Sequence, residues 1–89
     1  MNFFSTKVIN IPPEEKIKEG SLKKESRFRK VWRERWVVLT VKYIYTFEQP
    51  RIYQNPTETI DIHNVKTVKT DETKSGFCFV SNNCLYNLK

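Results

Sequence analysis

Polar and apolar residues alternate along most of this chain, and that period predicts short strands in place of helices. KIKEGSLKK, Lys16 to Lys24, alternates as a first strand, and Glu25 to Lys30 follows as a polar, strongly basic connection. WRERWVVLT, ending at Thr40, is the clearest strand of all. A tight turn around Thr40 to Lys42 leads into KYIYTFEQ, with Tyr43, Tyr45 and Phe47 on one face and Ile44 and Thr46 on the other. Pro50 to Pro56 reads as a loop, because each proline removes a ladder donor and restricts the residue before it. ETIDI sets Ile60 and Ile62 on one face, His63-Asn64 breaks the pattern, and VKTVKT is a further short strand. After the polar turn DETKSG, the segments GFCFVS and CLYNLK form a hairpin across Asn82-Asn83, a pair that tolerates positive φ. Seven closely spaced strands with no helical period predict an all-β antiparallel barrel or sandwich. Residues 1–15, weakly patterned and ending in Pro-Pro-Glu-Glu, read as an extended leader along the barrel, and residues 16–89 as the domain itself.

Parity within the first two strands singles out three cations. Gly20, Leu22 and Lys24 share one face of the first strand, and Arg33, Arg35, Val37 and Leu39 share one face of the second. In both, the inward set turns from aliphatic to cationic on approaching the connecting loop. A charge facing a core is costly, whereas at an open mouth it is tolerated. Three cations converging there predict a pocket for a multiply charged anion, with phosphate the leading candidate. Their shared parity with Leu22, Val37 and Leu39 argues against a merely solvated set.

Composition narrows the partner. With 16 Lys and Arg against 10 Asp and Glu, the net charge is +6, which predicts an anionic partner: a membrane surface, a nucleic acid or an acidic protein patch. Six Phe, four Tyr and two Trp supply core bulk, and the absence of alanine favours sheet over helix. Cys78 and Cys84 flank a hairpin turn but are too few for a disulfide scaffold, so reduced thiols are expected. No apolar run reaches membrane-spanning length, the phenylalanines after Met1 make no signal-peptide core, and Asn2 excludes N-myristoylation. No nucleophile–base pair, phosphate-cradling glycine loop or metal-ligand cluster is present, so neither catalysis nor a cofactor is expected.

EGSLKK, a basic loop, WRERWVVL, YIYTF, ETIDI, GFCFV and LYNLK together resemble a pleckstrin-homology (PH) domain over Lys16 to Lys89. The most specific part is Glu-Gly-x-Leu-x-Lys, followed ten residues after its leucine by Trp-Arg-x-Arg-Trp. The resemblance implies a seven-stranded antiparallel PH-like barrel and a role as a membrane-targeting module for phosphoinositide head groups. In that family a lysine ending the first strand and a basic-x-arginine in the second hold the head group, and Lys24-x₈-Arg33-Glu34-Arg35 is similar in type and spacing. Carried over, Lys24 and Arg35 grip ring phosphates deep in the pocket, Arg33 contacts one nearer the rim, and Tyr45 adds a hydroxyl. Arginine suits this role because its fork of donors matches phosphate oxygens. Arg27, Phe28, Arg29 and Lys30 would press on the bilayer, and the expected place is the cytosolic face of membranes. The family's C-terminal helix is absent from this chain, which stops at Lys89. The open barrel end then calls for a substitute: self-association, a protein partner, or the leader with Phe3, Phe4, Val8 and Ile9 as a plug.

Other residues read more plainly. Trp32 and Trp36 lie on the face away from the arginines and pack outside the barrel. His63 is a solvent-exposed turn residue with no carboxylate partner placed by the sequence. Asp61, Asp71 and Glu72 solubilise, and Lys66, Lys69 and Lys74 form a wet basic face. A PH-fold protein-interaction scaffold without lipid selectivity is the competing function. A nucleic-acid-binding barrel ranks third and no nucleic acid is expected, because the aromatics are spread over both faces and the charge gathers at one hairpin mouth.

Overall fold

A computed structural model of the chain describes residues 6–26, 29–71, 76–81 and 84–88, the side chains of Asp71, Cys84, Leu85 and Asn87 excepted. Seven strands form in the expected order: β1 (Lys16–Glu25), β2 (Trp32–Thr40), β3 (Tyr43–Phe47), β4 (Glu58–Asp61), β5 (Val65–Asp71), β6 (Gly76–Ser81) and β7 (Cys84–Leu88). All neighbours pair antiparallel in one sheet of order β4-β3-β2-β1-β7-β6-β5. The break at His63-Asn64 is a 3-10 turn, Ile62–Asn64, and it is the sole helical piece among the described residues. Asp61 is not simply a solubilising charge: its carboxylate caps that turn, accepting from the His63 backbone N–H at 2.9 Å and lying 3.2 Å from the His63 ring. No C-terminal helix is present among the described residues.

The sheet curls on itself because its apolar residues share one face. Val37 of β2, Ile60 of β4, Phe79 of β6 and Leu88 of β7 meet in one buried cluster, with Leu22, Ile44, Phe77 and Tyr86 packed around it. Burying these side chains together is the main gain a chain this short can make. The turn from β2 to β3 is held by one side chain. Buried Thr40 accepts from the backbone N–H of Lys42 and Tyr43 at 3.2 and 2.8 Å, and donates to the Tyr43 carbonyl at 3.0 Å.

Both faces of the first hairpin pair are covered. On the outer face, Val38 and Phe47 have no exposed surface at all. The loop between β3 and β4 folds back over them, with the Tyr53 ring edge-on to Phe47 at 5.7 Å. The leader is tied to that loop by hydrogen bonds from Ile9 N–H to the Tyr53 carbonyl and from Asn55 N–H to the Lys7 carbonyl. Of the residues expected to plug the barrel end, Val8 and Ile9 lie instead in a part of the leader that straps a loop on the outer face. Phe3 and Phe4 lie outside the described residues. Cys78 is a free thiol, and the β6–β7 register sets it opposite Asn87 while Cys84 faces Ser81.

Candidate functional site

Cross-strand register decides which side chains share a surface, because directly opposed residues point to the same side. Lys18 lies opposite Leu39, Gly20 opposite Val37, Leu22 opposite Arg35 and Lys24 opposite Arg33. Leu39 continues across to Ile44 and Ile60, and Val37 to Thr46 and Glu58. Read toward the β1–β2 loop, the inner face starts with Lys18 beside the aliphatic Leu39, Ile44 and Ile60, becomes mixed at Leu22 and Arg35, and ends cationic at Lys24 and Arg33. Lys24, Arg33 and Arg35 occupy its last two rows.

The three cations differ in setting. Lys24 is drawn inside: its ammonium pairs with the Glu58 carboxylate and lies 5.6 Å from the Tyr86 ring centroid. The Lys24 and Glu58 side chains are only 11% and 18% exposed. Arg35 is half-buried, and its Nη1 donates to the Glu34 carbonyl at 2.9 Å. Arg33 is exposed at the rim. Sequence reading missed Glu58, which stands three strands away in chain order and reaches Lys24 only because the sheet curls.

The connecting loop is closed tightly behind these residues. Ser26 N–H donates to the Val31 carbonyl at 2.7 Å, and Lys30 N–H to the Ser26 carbonyl at 3.0 Å. Lys30 takes a left-handed backbone, φ 56°, to complete the closure. Arg29 and Lys30 are exposed beside the mouth. Arg27 and Phe28, the other two residues expected at a bilayer, lie outside the described residues.

Tyr45 is not part of this group. It lies opposite Val38, and Val38 has the parity contrary to Arg33, Arg35 and Val37, so the Tyr45 ring is on the outer face. There it stacks between Tyr43 and Phe47, with centroid distances of 5.6 and 6.0 Å. Burial, then the neighbouring Tyr43 and Glu15, push its hydroxyl above the usual phenol range. Trp36 shares that outer face, with the Arg51 guanidinium 5.2 Å from its ring centroid.

The outer face has its own charged centre. Glu19 accepts from the Tyr53 hydroxyl at 3.1 and 2.9 Å and pairs with Lys16 at 3.2 Å. Burial alone would raise the Glu19 pKa, but Tyr53 and Lys16 together hold it below the usual 4.5. The buried Trp36 indole N–H has no well-formed hydrogen bond and adds a weaker pull on the same carboxylate. This arrangement fastens the loop to β1.

A separate apolar cleft of about 420 Å³ opens between the first half of β1 and the β6–β7 hairpin. Leu22, Val37, Leu39, Ile44, Phe77 and Phe79 contribute to its walls. Among the described residues β1 and β7 pair at Lys24 and Leu88, at the end of β1 away from Lys18 and Gly20, which also line the cleft. No described leader residue lines it.

A curled seven-stranded antiparallel sheet, with a cationic inner face beside its first hairpin loop, defines a small all-β binding module. The chain belongs to the PH domain family, whose model matches residues 16–86, and members of that family are generally non-catalytic modules. The C-terminal PH domain of pleckstrin, crystallised in complex with D-myo-Ins(1,2,3,5,6)P5, is 24% identical with a TM-score of 0.71, over 83% of this chain and 77% of that one. The solution structure of the C-terminal PH domain of human pleckstrin is 22% identical with a TM-score of 0.68, over 100% of this chain and 78% of that one. A structure of Vav1 inhibited by an allosteric inhibitor is 17% identical with a TM-score of 0.69, over 82% of this chain and 21% of that one. At these identities the likeness establishes the fold. No curated protein matches the sequence. No helix among the described residues is long and apolar enough to cross a membrane.

Proposed function

We propose that this chain is a membrane-targeting module that binds phosphorylated inositol head groups at the mouth between β1 and β2. The observation that carries the reading is the register itself: Lys24 opposite Arg33, and Arg35 one row deeper opposite Leu22. Arg35 and Lys24 receive ring phosphates inside the mouth, and Arg33 one at the rim, through charge-assisted hydrogen bonds. The pleckstrin domain bound to an inositol pentakisphosphate supports the choice of ligand class. Arg29 and Lys30, with Arg27 and Phe28, lean on anionic lipid, each basic residue adding about 1 kcal/mol. Residues 16–89 act as the binding unit, preceded by a leader over residues 1–15 whose Lys7 and Ile9 strap the β3–β4 loop, and the site of action is the cytosolic face of membranes.

Co-sedimentation with phosphoinositide-containing vesicles tests this directly. Arg35→Ala is expected to lose recruitment to those vesicles while keeping the wild-type melting temperature within a few degrees. Equal recruitment of wild type and Arg35→Ala would reject the pocket.

The apolar cleft supports a second reading, a scaffold that uses the fold to hold a protein partner or a second copy. Association that persists without any affinity for phosphoinositide vesicles would favour it.

A further inference from the structure

The buried pair of Lys24 and Glu58 places a carboxylate where a ligand phosphate has to arrive. We infer that Glu58 is a built-in competitor for the anionic ligand, setting a minimum charge that a head group must carry to be bound. This rests on the reading that Lys24, Arg33 and Arg35 receive phosphate.

A carboxylate and a phosphate ask the same thing of Lys24, a short contact from acceptor oxygens to one ammonium. The ammonium is mostly enclosed, with Glu58 and the Tyr86 ring as its neighbours. Without ligand, Glu58 makes that enclosure tolerable, since a cation left unpaired there would be costly. A phosphate reaching Lys24 must either sit against Glu58, like charge on like, or push it aside. A singly phosphorylated ring has nothing to offset that penalty. A ring with neighbouring phosphates engages Arg33 and Arg35 as well, which lie opposite Lys24 and Leu22 across β1. Glu58 therefore sets how many phosphates a ring must carry to be held, and that threshold falls when its own charge is removed.

The test is calorimetric titration of the full chain at physiological salt with inositol monophosphate, trisphosphate and hexakisphosphate. Wild type, Glu58→Gln, Glu58→Asp, Lys24→Gln, the Lys24→Gln/Glu58→Gln double variant and Arg35→Ala are compared, each first checked by thermal melting. Glu58→Gln is expected to tighten trisphosphate binding by about tenfold and hexakisphosphate binding by at least as much, as removal of one close like charge should. Glu58→Asp, which keeps the charge but withdraws it from Lys24, gives a smaller gain and carries the test if Glu58→Gln does not fold. In the Lys24→Gln background the Glu58→Gln gain shrinks to roughly twofold or less. Unchanged or weaker binding by Glu58→Gln, or a full gain without Lys24, each overturns the inference. If Arg35→Ala loses binding while Glu58→Gln matches wild type, only the competitor role falls. If no protein binds any probe, the head-group reading falls with it.

Discussion

Leu22 and Arg35 face each other across β1 and β2, and at that pair the inner surface of the sheet changes from aliphatic to cationic. On one side of it lies Val37 of the buried cluster; on the other lie Lys24 and Arg33. A strand period of two carries both halves, so a one-residue slip would send the arginines outward and expose the core. The register that builds the core is thus the register that gathers the cations.

Because Tyr45 stands on the outer face, its hydroxyl has no path to a ligand among Lys24, Arg33 and Arg35. Tyr45→Phe is expected to change head-group affinity less than about twofold, with its nonpolar ring contacts to Tyr43 and Phe47 retained. A loss comparable to that of Arg35→Ala in the same titration would return Tyr45 to the site.

The outer-face strap predicts a pH dependence of stability. Glu19 titrates below its usual 4.5 in the folded chain, so its contribution is complete above that value and is lost as pH falls through the lowered one. Chemical unfolding at pH 7 and at progressively lower pH should show this loss, and Glu19→Gln should flatten it. Tyr53→Phe removes both hydrogen bonds to that carboxylate and should cost about 1–3 kcal/mol at neutral pH. An unaltered pH profile in Glu19→Gln would show that other carboxylates govern the acid limb.

Gly20 lies on the inner face beside the apolar cleft, and a methyl group built there meets nothing within 4 Å. Its backbone is not in the left-handed region, so a side chain is sterically acceptable. Gly20→Val should stabilise the fold by ~0.5–1 kcal/mol, by restricting the unfolded chain and filling part of the cleft. A lower melting temperature in this variant would mean that the cleft is closed in solution.

Strand order and the parity of β1 and β2 were readable because alternation reports them directly. The face of β3 was not. Tyr43, Tyr45 and Phe47 visibly share a side, but which side depends on how the turn at Thr40 joins the strands, and Thr40 fixes that through three short contacts to its own turn. Glu58 was hidden for a different reason. Its approach to Lys24 depends on the curl of four successive strands, which no local pattern encodes. Proline marked the segment before β4 as a loop, yet nothing in its composition revealed that Tyr53 returns to cap Phe47 and Glu19.

Nuclear magnetic resonance titration with a soluble inositol polyphosphate tests the central claim most directly. The account predicts saturable shifts at Lys24, Arg33 and Arg35, with Trp36, Tyr45 and Tyr53 on the opposite face nearly unmoved. Shifts gathered on the outer face, or on Lys66 and Lys69 of β5, with the three inner cations silent, would contradict it.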